Sequence, residues 1–342
     1  MKKVLVTGGA GYIGSHTILA LLKAGYQVVS FDNYCNSSPQ ALQRVKTLAA
    51  ADDNALVVEQ GDILDAARLK EVFVAHQPAV VIHFAGLKAV GESVRLPLNY
   101  YQTNVAGTLI LCQVMQEVGC TDLVFSSSAT VYRPEQQMPL SEQKDRFAVN
   151  PYGQSKLMVE YILEDFAKAN PEWNIALLRY FNPVGADASG QIGEDPNGLP
   201  NNLMPFISQV AVGKLDKLSI FGDDYPTQDG TGVRDYIHVS DLAEGHLAAM
   251  RYLESKPGLE AFNLGSGAGH SVLEIVKTFE QVNQVPVPYQ IVERRPGDAP
   301  VSYACPDKSL HLLGWKTKKT LVDMVRDSWN WQKQNPNGYP SS

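Results

Sequence analysis

A tyrosine and a lysine four residues apart are the first candidates for chemistry in this chain. Tyr152 and Lys156 belong to the segment NPYGQSK (150–156), in which Pro151 predicts the first turn of a helix. Side chains at this interval project from one helix face, so the lysine ammonium would lie close to the phenol. Free tyrosine has a pKa of about 10 and is a poor base near neutral pH, but a neighbouring ammonium favours its phenolate. The pair therefore predicts a proton acceptor.

A second pair with the same interval, Tyr252 and Lys256 in YLESK, is an internal control. It lies just before a Pro-Gly pair and follows no strand end, so we interpret it as helix surface. Tyr152 differs because three serines (126–128) close the strand-like run DLVFSSS before it. A hydroxyl at that strand end can reach the same alcohol or carbonyl oxygen that the tyrosine serves. The pattern favours one reactive centre, around Tyr152.

A glycine-rich turn near the N-terminus predicts a dinucleotide site. The run VLVT leads into TGGAGYIG (7–14), and a helical pattern follows over 12–23. Gly8, Gly11 and Gly14 allow a tight turn, close approach of backbone N–H groups to a pyrophosphate, and close helix-to-strand packing. The spacing is G-x-x-G-x-x-G rather than the usual G-x-G-x-x-G. Because such turns also occur for purely structural reasons, the motif needs support from its surroundings.

The end of the second strand-like run, QVVSFD (27–32), provides that support. Asp32 can accept hydrogen bonds from both adenosine ribose hydroxyls and would repel a 2′-phosphate. No lysine or arginine lies between Lys23 and Arg44 to bind such a phosphate. NAD is therefore expected rather than NADP. Its positively charged nicotinamide would further favour the Tyr152 phenolate and place a hydride acceptor beside the proton acceptor.

Two further segments, GDI (61–63) and HFAGLK (83–88), close the third and fourth strand-like runs. A purely structural interpretation makes Asp62 a helix N-cap and Gly86 part of a turn. The carboxyl ends of parallel strands meet at one edge of a sheet, where ligands bind. This shared placement favours contacts to adenine and ribose.

The elements that must position these residues are predicted by apolar periodicity. The strand-like runs are VLVT (4–7), QVVSFD (27–32), ALVVE (55–59), AVVIHFAG (79–86), DLVFSSS (122–128) and NIALLRYF (174–181). Continuous apolar runs that alternate with helical patterns are typical of a doubly wound parallel sheet, so we expect an α/β fold of the Rossmann type. A Gly/Pro/Asp-rich stretch (183–202) then begins a smaller C-terminal α/β substrate domain. The expected domains are 1–181 and 182–342, with some later segments returning to the first.

Composition excludes several classes of protein. A net charge of −7 argues against a nucleic-acid partner, and no apolar run approaches the roughly 20 residues of a membrane span. The start MKKVLVTGG fits a first strand better than a signal peptide. The four cysteines are scattered without metal-ligand spacing, so we expect no metal site and a reducing, cytoplasmic location.

The motifs together resemble those of extended short-chain dehydrogenases/reductases. The blocks in question are TGGAGYIG, HFAGLKAVGES, SSSATVY, YGQSK and RYFNPVGA, together with Asp32. The further blocks GEDPNGLPNNLMP, DYPTQDGTGVRDYIHV and RRPGD narrow the resemblance to the UDP-glucose 4-epimerase family, over nearly the whole chain. The resemblance implies reversible epimerisation at carbon 4 of UDP-hexoses through a transient 4-keto sugar, with NAD tightly bound and recycled in each turnover. A UDP-sugar is then the expected partner, and the family suggests a homodimer.

The resemblance also implies a role for each catalytic residue. Tyr152 would remove the proton from the 4-hydroxyl, Lys156 would hold the cofactor ribose and lower the tyrosine pKa, and Ser128 would hydrogen-bond the reacting oxygen. The implied cofactor contacts are Gly8, Gly11, Tyr12, Ile13, Gly14, Asp32, Asn33, Tyr34, Cys35, Asn36, Ser37, Asp62, Ile63, Phe84, Ala85, Gly86, Leu87, Lys88, Thr103, Ser128, Tyr152, Lys156 and Phe181.

A second set of residues is implied for the UDP-sugar. Its members are Lys88, Ser128, Tyr152, Asn182, Asn202, Leu203, Ser219, Ile220, Phe221, Arg234, Tyr236, Arg295, Asp298 and Ser302. In this set Arg234 and Arg295 would hold the phosphates, and residues 219–221 would surround the uracil. Asn201 and Asn202 would open a helix over 202–213 whose positive end faces the diphosphate; a simple helix cap is the structural alternative.

The stretch RRPGDAPVSYA (294–304) contains the end of that set. Without the resemblance it would be a solvated charged loop; with it, Arg295 and Asp298 become part of a diphosphate clamp. Ser302 falls where family members carry either tyrosine or a small residue beside the sugar's 2-substituent. Serine leaves room for an N-acetyl group, which favours action on UDP-GlcNAc and UDP-GalNAc as well.

Two other functions fit the same fold. A nucleotide-sugar 4,6-dehydratase also begins by oxidising carbon 4, but it carries an Asp-Glu pair where this chain has Ala129 and Thr130. A non-enzymatic NAD-sensing or scaffold protein could dispense with the tyrosine and lysine. One departure from the family is Arg133 in place of the usual glycine, which would be strained if that position required a positive φ.

Overall fold

The chain opens with a strand, a tight turn and a helix, as the glycine-rich motif predicts. The strand is β1 (Lys3–Thr7) and the helix is α1 (Tyr12–Lys23). The computed structural model describes residues 2–195, 200, 202–295 and 297–340.

The other elements alternate as the apolar runs predict. The remaining strands are β2 (Gln27–Asp32), β3 (Leu56–Gln60), β4 (Val80–His83), β5 (Asp122–Ser128), β6 (Asn174–Tyr180), β7 (Asn182–Val184), β8 (Leu218–Phe221), β9 (Val233–His238), β10 (Leu259–Leu264), β11 (Gly269–Ser271), β12 (Tyr289–Val292) and β13 (Val301–Ser302). The remaining helices are α2 (Pro39–Leu48), α3 (Ala66–His76), α4 (Val90–Arg95), α5 (Pro97–Tyr100), α6 (Gly107–Val118), α7 (Pro151–Ala169), α8 (Leu203–Ala211), α9 (Val239–Tyr252), α10 (Val272–Asn283), α11 (Asp307–Leu313) and α12 (Leu321–Gln334). A π-helical turn (Tyr101–Ala106) precedes α6, and short 3₁₀ turns follow β5 (Ala129–Val131) and α9 (Leu253–Ser255).

Seven parallel strands form the central sheet, in the order β10-β6-β5-β4-β1-β2-β3. Its strands are apolar on both faces; Val4, Leu5 and Val6 of β1 are all fully buried. Helices cover both sides, with Ile18 and Leu242 in the core under one face and Leu69, Leu111 and Leu163 in the core under the other. The doubly wound α/β fold predicted from the sequence is therefore confirmed.

A second group of elements lies beyond β6. Strands β7, β9, β11 and β13 form a four-stranded sheet, and β8 pairs with β12. Helices α8, α10 and α12 share a core there, to which Ile207, Phe279 and Val325 contribute fully buried side chains. β10 comes from this half of the chain yet pairs with β6 in the central sheet. The division at 181/182 remains a prediction.

Some local predictions need correction. The predicted helix over 202–213 is α8, which begins at Leu203 and ends at Ala211, shortly before Gly213 takes a positive φ of 81°. Asn201 lies outside the described residues.

The second tyrosine–lysine pair does not share one helix face as predicted, although Lys256 lies on the surface. α9 ends at Tyr252, whereas Lys256 lies beyond the helix with a φ of 57° and donates to Asp122 at 2.9 Å. The following Pro257 and Gly258 prevent the helix from continuing far enough to place both side chains on one face.

Arg133 is not strained. It is absent from the non-glycine residues with positive φ in the described part of the chain, and its guanidinium lies 4.7 Å from the Phe147 ring centroid. A glycine at this position is therefore not required by the backbone.

Candidate active site

The turn between β1 and α1 forms one end of a deep cleft. Gly8 has a φ of 68°, and a Cβ added there would lie 2.7 Å from the Ala85 nitrogen. A Cβ on Gly14 would lie 2.3 Å from the Gly8 carbonyl oxygen. Gly11 is the N-cap of α1, and no side chain caps this helix end. The first turn of α1 can therefore present backbone N–H groups to an anion.

Asp32 lies at the carboxyl end of β2 and is nearly buried. Its Oδ2 accepts from the Ala10 N–H at 2.9 Å, and its Oδ1 accepts from the Tyr34 N–H and the Ser37 hydroxyl, each at 2.9 Å. A carboxylate offers about four acceptor positions. These bonds fix the group at the cleft and leave Oδ2 able to accept from a ribose hydroxyl.

Asp62 is not a helix N-cap, which was the purely structural interpretation of this residue. The N-cap of α3 is Asp65, not Asp62. Asp62 accepts from the Leu64 N–H at 2.9 Å and from the Asn33 side-chain amide at 2.8 Å. It thereby ties the loop after β3 to the loop after β2, next to the cleft.

Ser128, Tyr152 and Lys156 meet where β5 ends beside the first turn of α7. Each is at most 8% exposed. Lys156 Nζ donates to the Ser126 carbonyl at 2.8 Å, and the Ser128 hydroxyl lies close enough to Tyr152 to act on its pKa. Asn150 caps α7 by accepting from Gly153 N at 2.9 Å, which fixes the turn that carries the tyrosine. The side chains that the sequence groups into one reactive centre are thus close together.

Burial dominates the electrostatics of these groups. It raises the pKa of Tyr152 above its usual value, and the Ser128 hydrogen bond opposes that rise. Burial also lowers the pKa of Lys156 to about 8. Without a cofactor, desolvation therefore dominates the pKa of Tyr152, and its lowering by Lys156 stays a prediction. The positive charge of a bound nicotinamide would add to that lowering.

Thr130 orients Ser128, a role that the sequence did not indicate. The Thr130 hydroxyl donates to Ser128 Oγ at 3.0 Å, and the Thr130 N–H donates to the same atom at 3.2 Å. Because Ser128 Oγ accepts both bonds, its own O–H can donate to Tyr152 or to a substrate oxygen. The signal available in the sequence was that Thr130 lies two residues after Ser128.

Asn104 is a second residue that sequence reasoning missed. It is buried in the π-helical turn before α6. Its Oδ1 accepts from the Leu87 N–H at 2.8 Å, while its amide donates to the Leu87 carbonyl at 3.0 Å and to Ser155 Oγ at 2.9 Å. It thereby joins the HFAGLK segment to α7, directly beside the reactive centre. No motif in the sequence pointed to this position.

The cleft has about 1340 Å³ of free space, part of it open to solvent. It runs from the glycine turn and Asp32 to Tyr152 and Lys156. With its close-packed glycine backbone at one end and its reactive groups at the other, the cleft fits an extended dinucleotide.

Most predicted cofactor contacts line this cleft. They are Gly8, Gly11, Tyr12, Ile13, Gly14, Asp32, Asn33, Cys35, Asn36, Ser37, Ile63, Phe84, Ala85, Gly86, Leu87, Lys88, Thr103, Tyr152 and Lys156. Four others, Tyr34, Asp62, Ser128 and Phe181, lie behind or beside these residues rather than in the lining. Tyr180 also lines the cleft, and its hydroxyl hydrogen-bonds to Ser126; the sequence did not single it out.

The predicted diphosphate clamp lies in the second group of elements. Arg234 donates to Asp298 at 3.0 Å, and the Arg295 guanidinium lies 3.9 Å from the centroid of the Phe221 ring. Asn182 and Tyr236 are register partners in β7 and β9. The Asp298 N–H also donates to the Arg295 carbonyl at 3.3 Å, which joins the two pairs into one cluster. Each charge in this cluster has a partner from the protein itself.

The predicted uracil segment alternates in the way a strand requires. In β8, Ile220 is buried in the second core, whereas Ser219 and Phe221 are half-buried. Successive side chains of a strand point to opposite faces. Ser219 and Phe221 can thus offer side chains to a base, but Ile220 can offer only its backbone.

Asn202 and Ser302 are two further members of the set predicted for the UDP-sugar. Asn202 is the N-cap residue of α8, but its side chain makes no cap bond and instead donates to Glu194 at 2.8 Å. The simple-cap interpretation is therefore wrong for Asn202. Leu203 begins α8 and packs against the second core. Ser302 is the register partner of Arg234 in β13, so it lies next to the predicted phosphate contacts.

Other kinds of site find no support in the part of the chain that the structure describes. No group of three or more His, Cys, Asp or Glu side chains there is arranged to hold a metal ion. None of the described helices has the length and apolar character needed to cross a membrane.

Comparison with known proteins adds independent evidence. A model of the NAD dependent epimerase/dehydratase family matches residues 4–265. A curated protein of Bacillus subtilis, UDP-glucose 4-epimerase, is 56% identical over 339 residues, which is 99% of each chain.

Two solved structures of epimerases are also similar to this chain. The UDP-glucose 4-epimerase of Bifidobacterium longum, in complex with NAD⁺ and UDP, is 50% identical, with a TM-score of 0.95 over 99% of this chain and 100% of that one. The UDP-Glc/GlcNAc 4-epimerase of Campylobacter jejuni is 36% identical, with a TM-score of 0.85 over 98% of this chain and 100% of that one.

Proposed function

The chain belongs to the NAD dependent epimerase/dehydratase family, and we propose that it interconverts UDP-galactose and UDP-glucose by inverting carbon 4 of the sugar. The observation that carries the proposal is the contact of Ser128 with Tyr152, beside Lys156 and at the end of a cleft that fits a dinucleotide. The relatives of similar length, at 50% identity and above, are UDP-glucose 4-epimerases.

In the proposed mechanism, the chain's own side chains bind the sugar and move one proton. The Tyr152 oxygen accepts the proton of the 4-hydroxyl, and the Ser128 hydroxyl, held by Thr130, donates to the same sugar oxygen. NAD, when bound, supplies the hydride acceptor at carbon 4. The Lys156 ammonium stabilises the phenolate and holds the cofactor ribose. The 4-keto sugar then turns over, so that the hydride would return to the opposite face of carbon 4 as Tyr152 gives its proton back to the sugar oxygen.

The dehydratase alternative has no support at the reactive centre. Ala129 and Thr130 follow Ser128 in a 3₁₀ turn, and Thr130 is engaged with Ser128 Oγ at 3.0 Å. Expulsion of the 6-hydroxyl requires an acid and a base at these positions, and neither side chain can act as either. The reaction therefore stops at the ketone and reverses.

The test of this function is direct conversion of UDP-galactose to UDP-glucose by the purified protein without added NAD. Turnover is expected, because one NAD retained in the cleft is regenerated in every cycle. Absence of turnover even after NAD is added would refute the enzyme function.

The proposal extends to N-acetylated sugars because of Ser302. A small side chain beside Arg234 leaves room for a 2-acetamido group, which a tyrosine would fill. We expect the unaltered protein to interconvert UDP-GlcNAc and UDP-GalNAc, and Ser302→Tyr to lose that reaction while it keeps UDP-galactose. Failure of the unaltered protein on the acetylated pair would refute the wide pocket.

A homodimer is also part of the proposal. The surface of α4, α5 and α7 carries exposed apolar side chains, among them Val94 and Leu98, which are 63% and 78% exposed, and Met158 and Tyr161. Clustered exposed apolar side chains are typical of protein interfaces, and a second copy with the same surface is the simplest partner. Light scattering should give twice the chain mass for the unaltered protein, and Leu98→Glu should favour the monomer. An unaltered protein that is monomeric at all concentrations would exclude this dimer.

A cytoplasmic location completes the proposal. Cys112 and Cys120 are buried thiols, and burial raises the pKa of each to about 12. A protein that keeps such thiols is suited to a reducing compartment. Cell fractionation tests this, and recovery outside the cytoplasm would refute it.

A further inference from the structure

The cleft has a second side that the sequence did not predict. Gly193, Glu194, Asp195 and Tyr339 line it opposite the glycine turn and the strand ends. We call residues 187–195, together with 330–339 at the C-terminal end of α12 and beyond, the outer wall.

The two parts of the outer wall are bound to each other along their length. The side-chain amide of Asn335 donates to the Gly190 carbonyl at 2.9 Å, and Trp331 Nε1 donates to the Glu194 carbonyl at 3.2 Å. The Tyr339 N–H donates to Asp195 Oδ2 at 2.7 Å. Because these bonds connect successive points of both segments, the outer wall can be expected to move as one unit.

Arg44 of α2 attaches the outer wall to the first half of the chain. Its Nη1 donates to the Gln191 carbonyl at 2.8 Å and to Asn335 Oδ1 at 2.7 Å. Its guanidinium carbon lies 5.1 Å from the centroid of the Tyr339 ring and 5.7 Å from that of Trp331. Arg44 thus contacts both parts of the outer wall at once.

Two further hydrogen bonds join residues of the cleft to Glu194 and Gly185. Lys88 Nζ donates to Glu194 Oε1 at 2.9 Å, and the Tyr12 hydroxyl donates to the Gly185 carbonyl at 2.6 Å. Lys88 and Tyr12 are cleft residues, whereas Arg44 does not belong to the described lining. A change at Arg44 can therefore loosen the outer wall without removing a group that touches the dinucleotide.

We propose that the outer wall retains NAD in the cleft between turnovers. Arg44 is then the positioning residue that holds the outer wall against α2. This inference rests on the dinucleotide site of the proposed function. A dinucleotide that extends from the glycine turn to Lys156 also faces the outer-wall residues that line the cleft, so separation of the wall from α2 would widen its path to solvent. Arg44 slows that separation through two hydrogen bonds and two ring contacts. Retention matters for this reaction because the same NAD must survive both halves of the cycle.

The experiment measures exchange of bound NAD for the fluorescent analogue 1,N⁶-etheno-NAD. Loss of several bonds at one residue predicts an exchange rate about tenfold higher for Arg44→Ala, with turnover of the NAD-loaded protein within about twofold of the unaltered chain. Tyr339→Ala should also exchange faster. Arg44→Lys keeps the charge but lacks the planar guanidinium, so an intermediate rate is expected; this variant serves if Arg44→Ala does not fold.

A matched control is Arg251→Ala. Arg251 also lies over a tyrosine ring, 5.9 Å from the Tyr26 centroid, and donates to that hydroxyl at 3.3 Å, but it is remote from the outer wall in the described structure. Its loss should leave NAD exchange unchanged. Equal exchange rates for Arg44→Ala, Arg44→Lys and Arg251→Ala would overturn the role of the outer wall and leave the proposed function intact. A protein that bound no NAD at all would overturn both.

Discussion

The reactive centre and the predicted diphosphate clamp differ in burial and in how their charged groups are held. Ser128, Tyr152 and Lys156 are almost fully buried; the Ser126 carbonyl holds Lys156, and Thr130 holds Ser128. In the clamp, Arg295 and Asp298 are exposed. There, Arg234 pairs with Asp298, and Arg295 lies over Phe221.

The two regions therefore differ in how rigidly their side chains are held before a ligand binds. An exposed ion pair contributes only about 0–1 kcal/mol, so the clamp arginines can exchange their protein partners for phosphate oxygens at little cost. A buried ammonium beside a buried phenol is unfavourable in the absence of ligand, but it is already in place when the sugar arrives. We therefore expect changes in the centre to affect turnover and changes in the clamp to affect binding.

The largest effect is expected for Tyr152→Phe. Removal of the proton acceptor should lower kcat by about 10³-fold or more, within the upper range for general acid–base catalysis, while UDP-glucose binding stays nearly unchanged. Steady-state kinetics and calorimetric titration with UDP-glucose measure the two quantities separately. Unchanged turnover would remove Tyr152 from the mechanism.

A change in the clamp should weaken substrate binding more than it lowers turnover. Arg295→Ala is expected to weaken UDP-glucose binding by about 10- to 100-fold, the loss of a charge-assisted hydrogen bond or two, with a smaller change in kcat. The adjacent Arg294 is the control: it donates to Asp224 at 2.5 Å and lies 4.0 Å from the Tyr225 ring centroid. The affinity of Arg294→Ala for UDP-glucose should be much closer to that of the unaltered protein. Equal weakening by both variants would mean that net charge, rather than the clamp geometry, holds the diphosphate.

How far the sequence predicted these two regions depends on how local their signals are. The strand-end residues Asp32 and Ser128 and the helix pair of Tyr152 and Lys156 follow from apolar runs and fixed spacing, because sheet and helix geometry bring them together. The parallel sheet and the helices on both its faces follow from the same periodicity, whereas the strand order was not predicted.

Other contacts could not be read in this way. The outer wall joins Arg44 to Asn335, and Glu194 accepts from Lys88; these residues are far apart in sequence and belong to no periodic pattern. Asn104 lies in a π-helical turn, which propensities do not predict. Ile220 was assigned with its neighbours as a group, although strand alternation places its side chain in the core. Tertiary contacts of irregular segments decide such positions.

The stability of the reactive centre offers a third test of the comparison. Burial lowers the pKa of Lys156 to about 8, so below that pH the folded protein holds an ammonium that the unfolded chain accommodates more easily. Lys156→Met should therefore raise the free energy of unfolding of the NAD-free protein at pH 7 by about 1–3 kcal/mol. Between about pH 8 and the ordinary lysine pKa near 10.4, the unfolded chain binds more protons than the folded one, and the advantage of the variant should shrink.

Urea unfolding at several pH values measures this effect, with Lys256→Met as the control. Lys256 follows a tyrosine at the same interval but is exposed and paired with Asp122. Its replacement should give no comparable gain and no comparable pH dependence. A Lys156→Met protein that is less stable at pH 7 would contradict the claim that the centre is kept at a cost in stability.

The smallest effect is expected for Arg133→Gly. Arg133 is exposed and has no positive φ, and its contact with Phe147 lies on the surface. Both kcat and the free energy of unfolding should stay close to those of the unaltered protein, the latter within about 0.5 kcal/mol. Thermal unfolding and the epimerisation assay test this. A large loss of turnover would show that the segment after Ser128 depends on the arginine.

The central claim is that carbon 4 loses its hydrogen inside the cleft and regains the same hydrogen on its other face. It is tested most directly with UDP-galactose that carries deuterium at carbon 4, incubated with the protein in ordinary water. Mass spectrometry and proton NMR of the UDP-glucose formed should find the deuterium retained at carbon 4. Deuterium lost to solvent, or moved to another carbon of the sugar, would contradict the account.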